Sequence, residues 1–113
     1  MTPRYTFTER KTIDKCSDGR IFVYFDEKEE TEKIVTEQGQ DEYPVWTYKR
    51  AETSEPLTKS KIVDAIIRVD YSQADVEAIF RHKLAGMDDE GEFHLFNIVA
   101  ERAKERANEV LSL

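Results

Sequence analysis

The sequence predicts an α+β fold, a small antiparallel four-stranded sheet followed by three helices, and three observations predict it. The first half holds short β-branched and aromatic runs separated by turn-forming residues. The second half holds Ala, Ile, Glu, Lys and Arg at helical spacing. Between them, residues 52–56 form a polar break that ends in Pro56. The 113 residues make one domain, large enough to bury roughly 65% of the surface of the unfolded chain. Residues 1–51 supply the β half, 52–56 the linker and 57–113 the helical half.

In the β half, Tyr5, Phe7, Glu9, Lys11 and Ile13 alternate with mostly Thr and Arg, the pattern of a half-exposed strand. Ser17, Asp18 and Gly19 supply a hairpin turn into residues 21–25, which are apolar on both faces and predict a central strand. Residues 26–33 carry five acids and two lysines and are expected to be a solvated connection, with a strand edge or a short helix as alternatives. The β-branched Ile34, Val35 and Thr36 predict a third strand, and residues 38–41 a turn. Residues 43–49 form the fourth strand, and Pro44, which lacks a ladder donor, marks it as an edge strand or as the start of one.

The helical half is organised around two amphipathic helices that meet at Tyr71 and Ser72. Ile62, Val63, Ile66, Ile67 and Val69 mark the first, capped by Thr58 or Ser60. Val76, Ile79, Phe80 and Leu84 mark the second, which Ser72 and Asp75 begin as a capping box. A loop over residues 86–91 leads into a third helix from about Glu92 to Leu111. Its seam, Phe93, Phe96, Ala100, Ala103, Ala107 and Val110, alternates spacings of three and four, as in a helix packed nearly parallel to a partner. Glu101, Arg102, Lys104, Glu105, Arg106 and Glu109 are expected on its solvated face. The two shorter helices cannot cover a seam that runs on to Leu111, so Ala103, Ala107, Val110 and Leu111 are the candidate interaction residues, through which the chain would self-associate. Cover by the sheet is the alternative.

Composition narrows the function. A net charge of −7 argues against gripping phosphate backbones, so nucleic acid is a poor first partner. The longest apolar run, residues 21–25, is far short of a membrane span, and no membrane partner is expected. One cysteine, Cys16, cannot pair within the chain, and the opening Met1, Thr2, Pro3, Arg4 is unlike a secretory leader; both point to a cytoplasmic protein. His82, His94 and Cys16 include no short-spaced pair of ligands, and the two histidines read as helix-surface residues, so no metal ligand or nucleophile is assigned. Asp88, Asp89, Glu90 and Gly91 lack the acidic spacing of a calcium loop and read as a helix cap. No phosphate loop or catalytic motif is present, so no catalytic residue, cofactor or metal is expected. Tyr43, Trp46 and Tyr48, beside Lys49 and Arg50, form either core under the helices or a stacking surface.

Residues 62–79, together with the later helix carrying Phe93, Phe96 and Glu101 to Lys104, resemble the C-terminal part of small proteins encoded among structural genes of phages and prophages of gut Bacteroidales. The resemblance covers about half the chain and transfers no catalytic residue. It implies a non-enzymatic structural or assembly component of a phage-like particle, acting through protein contacts with itself or with particle subunits, and located in the cytoplasm or, after assembly, in the virion. The alternative is an acidic intracellular binding module, an inhibitor or adaptor.

Overall fold

The computed structural model describes residues 3–88 and 91–113. Four strands, β1 (Tyr5–Phe7), β2 (Ile13–Lys15), β3 (Arg20–Thr36) and β4 (Gly39–Ser54), precede three helices, α1 (Lys59–Asp70), α2 (Gln73–Leu84) and α3 (Glu92–Leu111). The sheet is antiparallel throughout in the order β1-β4-β3-β2. An antiparallel four-stranded sheet followed by three helices is the expected class, but the strands are not the expected ones.

The alternating run at Tyr5, Phe7 and Ile13 is two strands at opposite sheet edges. Phe7 packs on Tyr24 and Tyr48, whereas Ile13 packs against the helix-side core, so the two residues sit on opposite faces. A single strand would have put them on one face. Crossing from β1 to β2 covers three inter-strand spacings, about 14 Å, and the five residues 8–12 can reach about 20 Å. They therefore form a short strap directly across the sheet.

Residues 21–25 lie centrally, as expected, after a turn with Gly19 at φ 87°. The charged stretch that follows is no connection. It continues β3 to Thr36, turns through Glu37 and Gln38, and returns as β4. Local composition hides this because the pairing is cross-strand: Tyr43 donates to Glu32 (2.7 Å), Lys33 faces Glu42 (3.6 Å), and Thr31, Ile34 and Val35 suit a pleated backbone. Pro44 lies beyond Trp46, the last residue that β1 reaches, where β4 does have a free edge; over residues 46–48 β4 is internal. β4 also runs on through most of the expected linker, to Ser54.

The helices match their expected bounds closely. Thr58 accepts from the Lys61 amide, and Ser72 and Asp75 form the reciprocal capping box. One core cluster joins Ile21, Val23 and Phe25 of β3, Ala51 of β4, Ile62 and Ile66 of α1, and Ala103, Ala107 and Val110 of α3. α2 packs on α3, with Ile79 buried and the Phe80 ring edge-on to Phe93 and Phe96, while Leu84, expected to face inward, is 88% exposed. The radius of gyration is 17.6 Å, against about 13 Å for a compact chain of this length, and the long axis is 64 Å. The β3–β4 hairpin accounts for the excess.

Ile66→Asp would bury an unpaired charge between α1 and the sheet and should cost about 3 kcal/mol or more. Leu84→Asp, at a solvent-facing position, should change stability by less than about 0.5 kcal/mol. Chemical denaturation of the two variants checks the packing: equal effects would mean that α1 is not seated on the sheet.

Candidate functional site

Two features outside the core are candidates, the hairpin and the cleft at its root. Both are set by a β-bulge. Phe25 faces Lys49 and Lys28 faces Thr47, so Asp26 and Glu27 together oppose Tyr48. Asp26 takes the left-handed conformation at φ 56°, a role usually left to glycine. Arg4 holds it there. Its guanidinium donates to the Asp26 carboxylate (3.0 Å) and carbonyl, and to the Thr47 hydroxyl (3.0 Å) and carbonyl (2.9 Å). Glu27 accepts from the Tyr48 hydroxyl, which in turn accepts from the Lys11 amide in the strap (3.1 Å).

Tyr48 and Trp46 alternate with Ala51, Lys49 and Thr47 and so lie on the sheet face away from the helices. They are neither core under the helices nor an open stacking surface. The strap covers them: Tyr48 is fully buried, and the Arg10 guanidinium lies 6.0 Å from the Trp46 ring. Arg50 is held between the Tyr5 and Phe22 rings, 4.1 Å from each. Tyr43 lies apart from them, out on the hairpin. The indole nitrogen of Trp46 is buried with no hydrogen-bond partner among the described residues.

The cleft, about 580 Å³, opens between the bulge, the strap, α1 and α3, with Phe25, Ile66, Val99 and Ala103 among its apolar lining. Most of its charges answer one another. Lys49 pairs with Asp70 (3.0 Å) and lies 3.9 Å from Asp26, and Arg10 lies 3.9 Å from Glu27. Arg106, expected on the solvated face of α3, turns inward and donates to the carbonyls of Tyr24 (2.7 Å) and Lys11 (3.2 Å). Burial, then the Glu27 hydrogen bond, raises the Tyr48 pKa. That keeps the phenol protonated as a donor and makes it a poorer proton shuttle near neutral pH.

Beyond the bulge the hairpin is free. Six cross-strand pairs, from Thr31–Pro44 to Thr36–Gly39, lie past the reach of β1 and β2 and make about 20 Å of two-stranded ribbon. Nearly every ribbon residue is exposed, including Ile34 at 46% and Val35 at 81% near the tip. Residues 26–44 hold eight carboxylates and two lysines, a net −6 of the chain's −7, which leaves −1 for all the rest.

The candidate interaction residues of the third helix fall mostly elsewhere. Ala103, Ala107 and Val110 are 1%, 0% and 4% exposed in the chain's own core, in one cluster with Ile62 and Ile66 of α1, Ile21, Val23 and Phe25 of β3 and Ala51 of β4. They cannot line a contact between copies while the core is intact. Leu111 remains 47% exposed. His94 is exposed, and His82 bonds Glu92 through Nδ1 (3.1 Å), linking the end of α2 to the start of α3. Asp88 accepts from the Phe93 amide (3.2 Å), as a cap should; Asp89 and Glu90 lie outside the described residues. Cys16 is half-buried at the β2–β3 turn. Among the described residues no group of three or more His, Cys, Asp or Glu side chains is placed to hold a metal ion, and no helix is long and apolar enough to cross a membrane. The signal for the ribbon in the sequence is the β-branched Ile34, Val35 and Thr36 after a charged stretch, answered past Gly39 by the aromatic and β-branched Tyr43, Val45, Trp46 and Thr47.

Comparison with protein-family models, curated proteins and solved structures returns no match.

One pH dependence follows from the strap. Burial raises the Asp14 pKa, but hydrogen bonds from Lys11 and Tyr24 outweigh it and hold the carboxyl below its ordinary value. A carboxyl depressed in the folded state stabilises above its unfolded pKa of about 3.9, and that contribution is lost as pH falls through the folded value. Asp18 and Asp75 are also depressed and titrate alike with or without this group. Denaturation across acidic pH should therefore show a smaller loss of stability in Asp14→Asn than in the parent, and parallel curves would remove Asp14 from the account.

Proposed function

We propose that the chain is a non-enzymatic structural or assembly component of a phage-like particle, acting through protein–protein contacts with the β3–β4 ribbon as its docking arm. The observation that carries this reading is about 20 Å of ribbon, paired on neither edge among the described residues, on a body that has its own core. An isolated two-stranded hairpin is marginal in water, and unpaired strand edges invite other chains. A chain that keeps such an element out in solvent has a use for it in contact. The resemblance of the helical half supplies the phage setting.

The charge of the ribbon also favours the second reading, an acidic inhibitor or adaptor that inserts the arm into a site on one partner. Stoichiometry separates the two. The chain should be co-expressed with each protein encoded beside it and sedimented, next to a chain in which residues 31–44 are replaced by an Asn-Gly turn. The expected result is a complex of several subunits that the shortened chain does not enter, although it melts like the parent. A one-to-one complex favours the adaptor. A full-length chain that sediments alone with every neighbour overturns the docking role.

A further inference from the structure

The two ribbon faces are not equivalent, and their difference specifies a partner. Residues directly opposite in an antiparallel ladder share a face, as do alternate residues along a strand. Glu30, Glu32, Ile34, Asp41 and Tyr43 therefore lie on one face, and Glu29, Lys33, Val35, Gln40 and Glu42 on the other. On the second face Lys33 stands opposite Glu42 and offsets its charge. On the first, Lys28 lies at the root two residues before Glu30, and among the described residues no cation stands beyond it: Glu32 is fixed by the Tyr43 hydroxyl, while no hydrogen bond or ion pair answers Glu30 or Asp41.

We propose that the ribbon docks through its Glu30, Glu32 and Asp41 face into a Lys- and Arg-rich groove of another protein, with Ile34 at the tip as the apolar anchor. This rests on the docking role proposed above. The sign of the charge argues against an anionic partner such as nucleic acid or a phospholipid surface. It also argues against a second copy, since pairing two ribbons would bring −6 against −6. A single metal ion does not fit either: among the described residues no three such side chains are placed to hold one, and carboxylates two residues apart on a strand are spaced about 7 Å along it. That 7 Å repeat matches cations at alternate positions of an extended partner segment. Tyr43 adds a flat apolar surface beside Glu32, of the kind interfaces favour.

The test uses the full chain and a short synthetic peptide alternating Lys and Thr, with a Glu and Thr peptide as control. Two double variants remove the same net charge from opposite faces: Glu30→Gln with Asp41→Asn, and Glu29→Gln with Glu42→Gln. Calorimetry should show the first pair weakening Lys-peptide binding about tenfold and the second less than about twofold. Amide shifts in the NMR spectrum should cluster on residues 28–44. Equal weakening by both pairs, shifts centred on the helices, or equal binding of the Glu peptide would each overturn the proposal. The two readings fail separately. If a complex with a neighbouring protein is lost with the ribbon but survives Glu30→Gln with Asp41→Asn, docking stands and the acidic face does not. If no neighbour binds while the Lys peptide discriminates between the faces, the reverse holds.

Discussion

The bulge at Asp26 and Glu27 is the constraint on which the rest of this structure depends. Up to Phe25 the strands alternate core and strap-side residues; past Glu30 and the buried Val45 opposite it, the same two strands leave both layers. One inserted residue shifts the facing of β3 relative to β4 and increases local twist, which is how a continuous ladder can serve two environments. The left-handed Asp26 costs on the order of 1 kcal/mol, less than four hydrogen bonds from one guanidinium can offset. Arg4 thus acts on the aim of the ribbon as well as on the attachment of β1. Tyr48 does the same from the other face by joining Glu27 to the strap.

The strap and the bulge depend on each other. The strap lies on the aromatic face because β1 and β2 occupy opposite edges, and α3 holds it there through Arg106, whose planar fork spans the carbonyls of Tyr24 and Lys11. The helical layer, the strap and the ribbon root are therefore joined by charged donors on backbone acceptors, which fix direction more tightly than apolar contact does. α2 stands outside this frame. Its contacts are with α3, through one buried isoleucine and a set of edge-on rings, so it can open locally at less cost than α1 or α3.

The helical half was legible in the sequence because its determinants are local. Caps at Thr58 and Ser72, and the three-and-four spacing from Phe93 to Val110, each lie within a few turns of what they specify. The β half was legible only in class. Nothing near Glu29 or Glu32 says that Trp46 and Tyr43 will lie opposite, and a charged run without partners reads as a connection. Period-two alternation puts Ile13 on the face of Phe7, because it cannot register a strap that lets the chain change faces. The seam residues Ala103, Ala107 and Val110 were legible as a contact, with self-association and cover by the sheet as the two alternatives, because helix length alone does not say which surface meets the seam. Their place in one cluster with β3, β4 and α1 makes the contact an internal one.

The burial of Val110 changes where an interface can lie. With Val110 in the core, the end of α3 exposes Leu111 and Leu113 and little else apolar, far less than the about 800 Å² per partner of a standard interface. The ribbon offers two faces and two edges, yet it is poorly suited to its own kind. Carboxylates line it, and Pro44 interrupts one edge, both common means by which natural sheets avoid pairing edge to edge. Each feature that discourages self-pairing also narrows the partners that remain, because a surface able to accept this arm must supply the cations it lacks. Solubility of the free chain and selectivity of the arm then arise from the same residues.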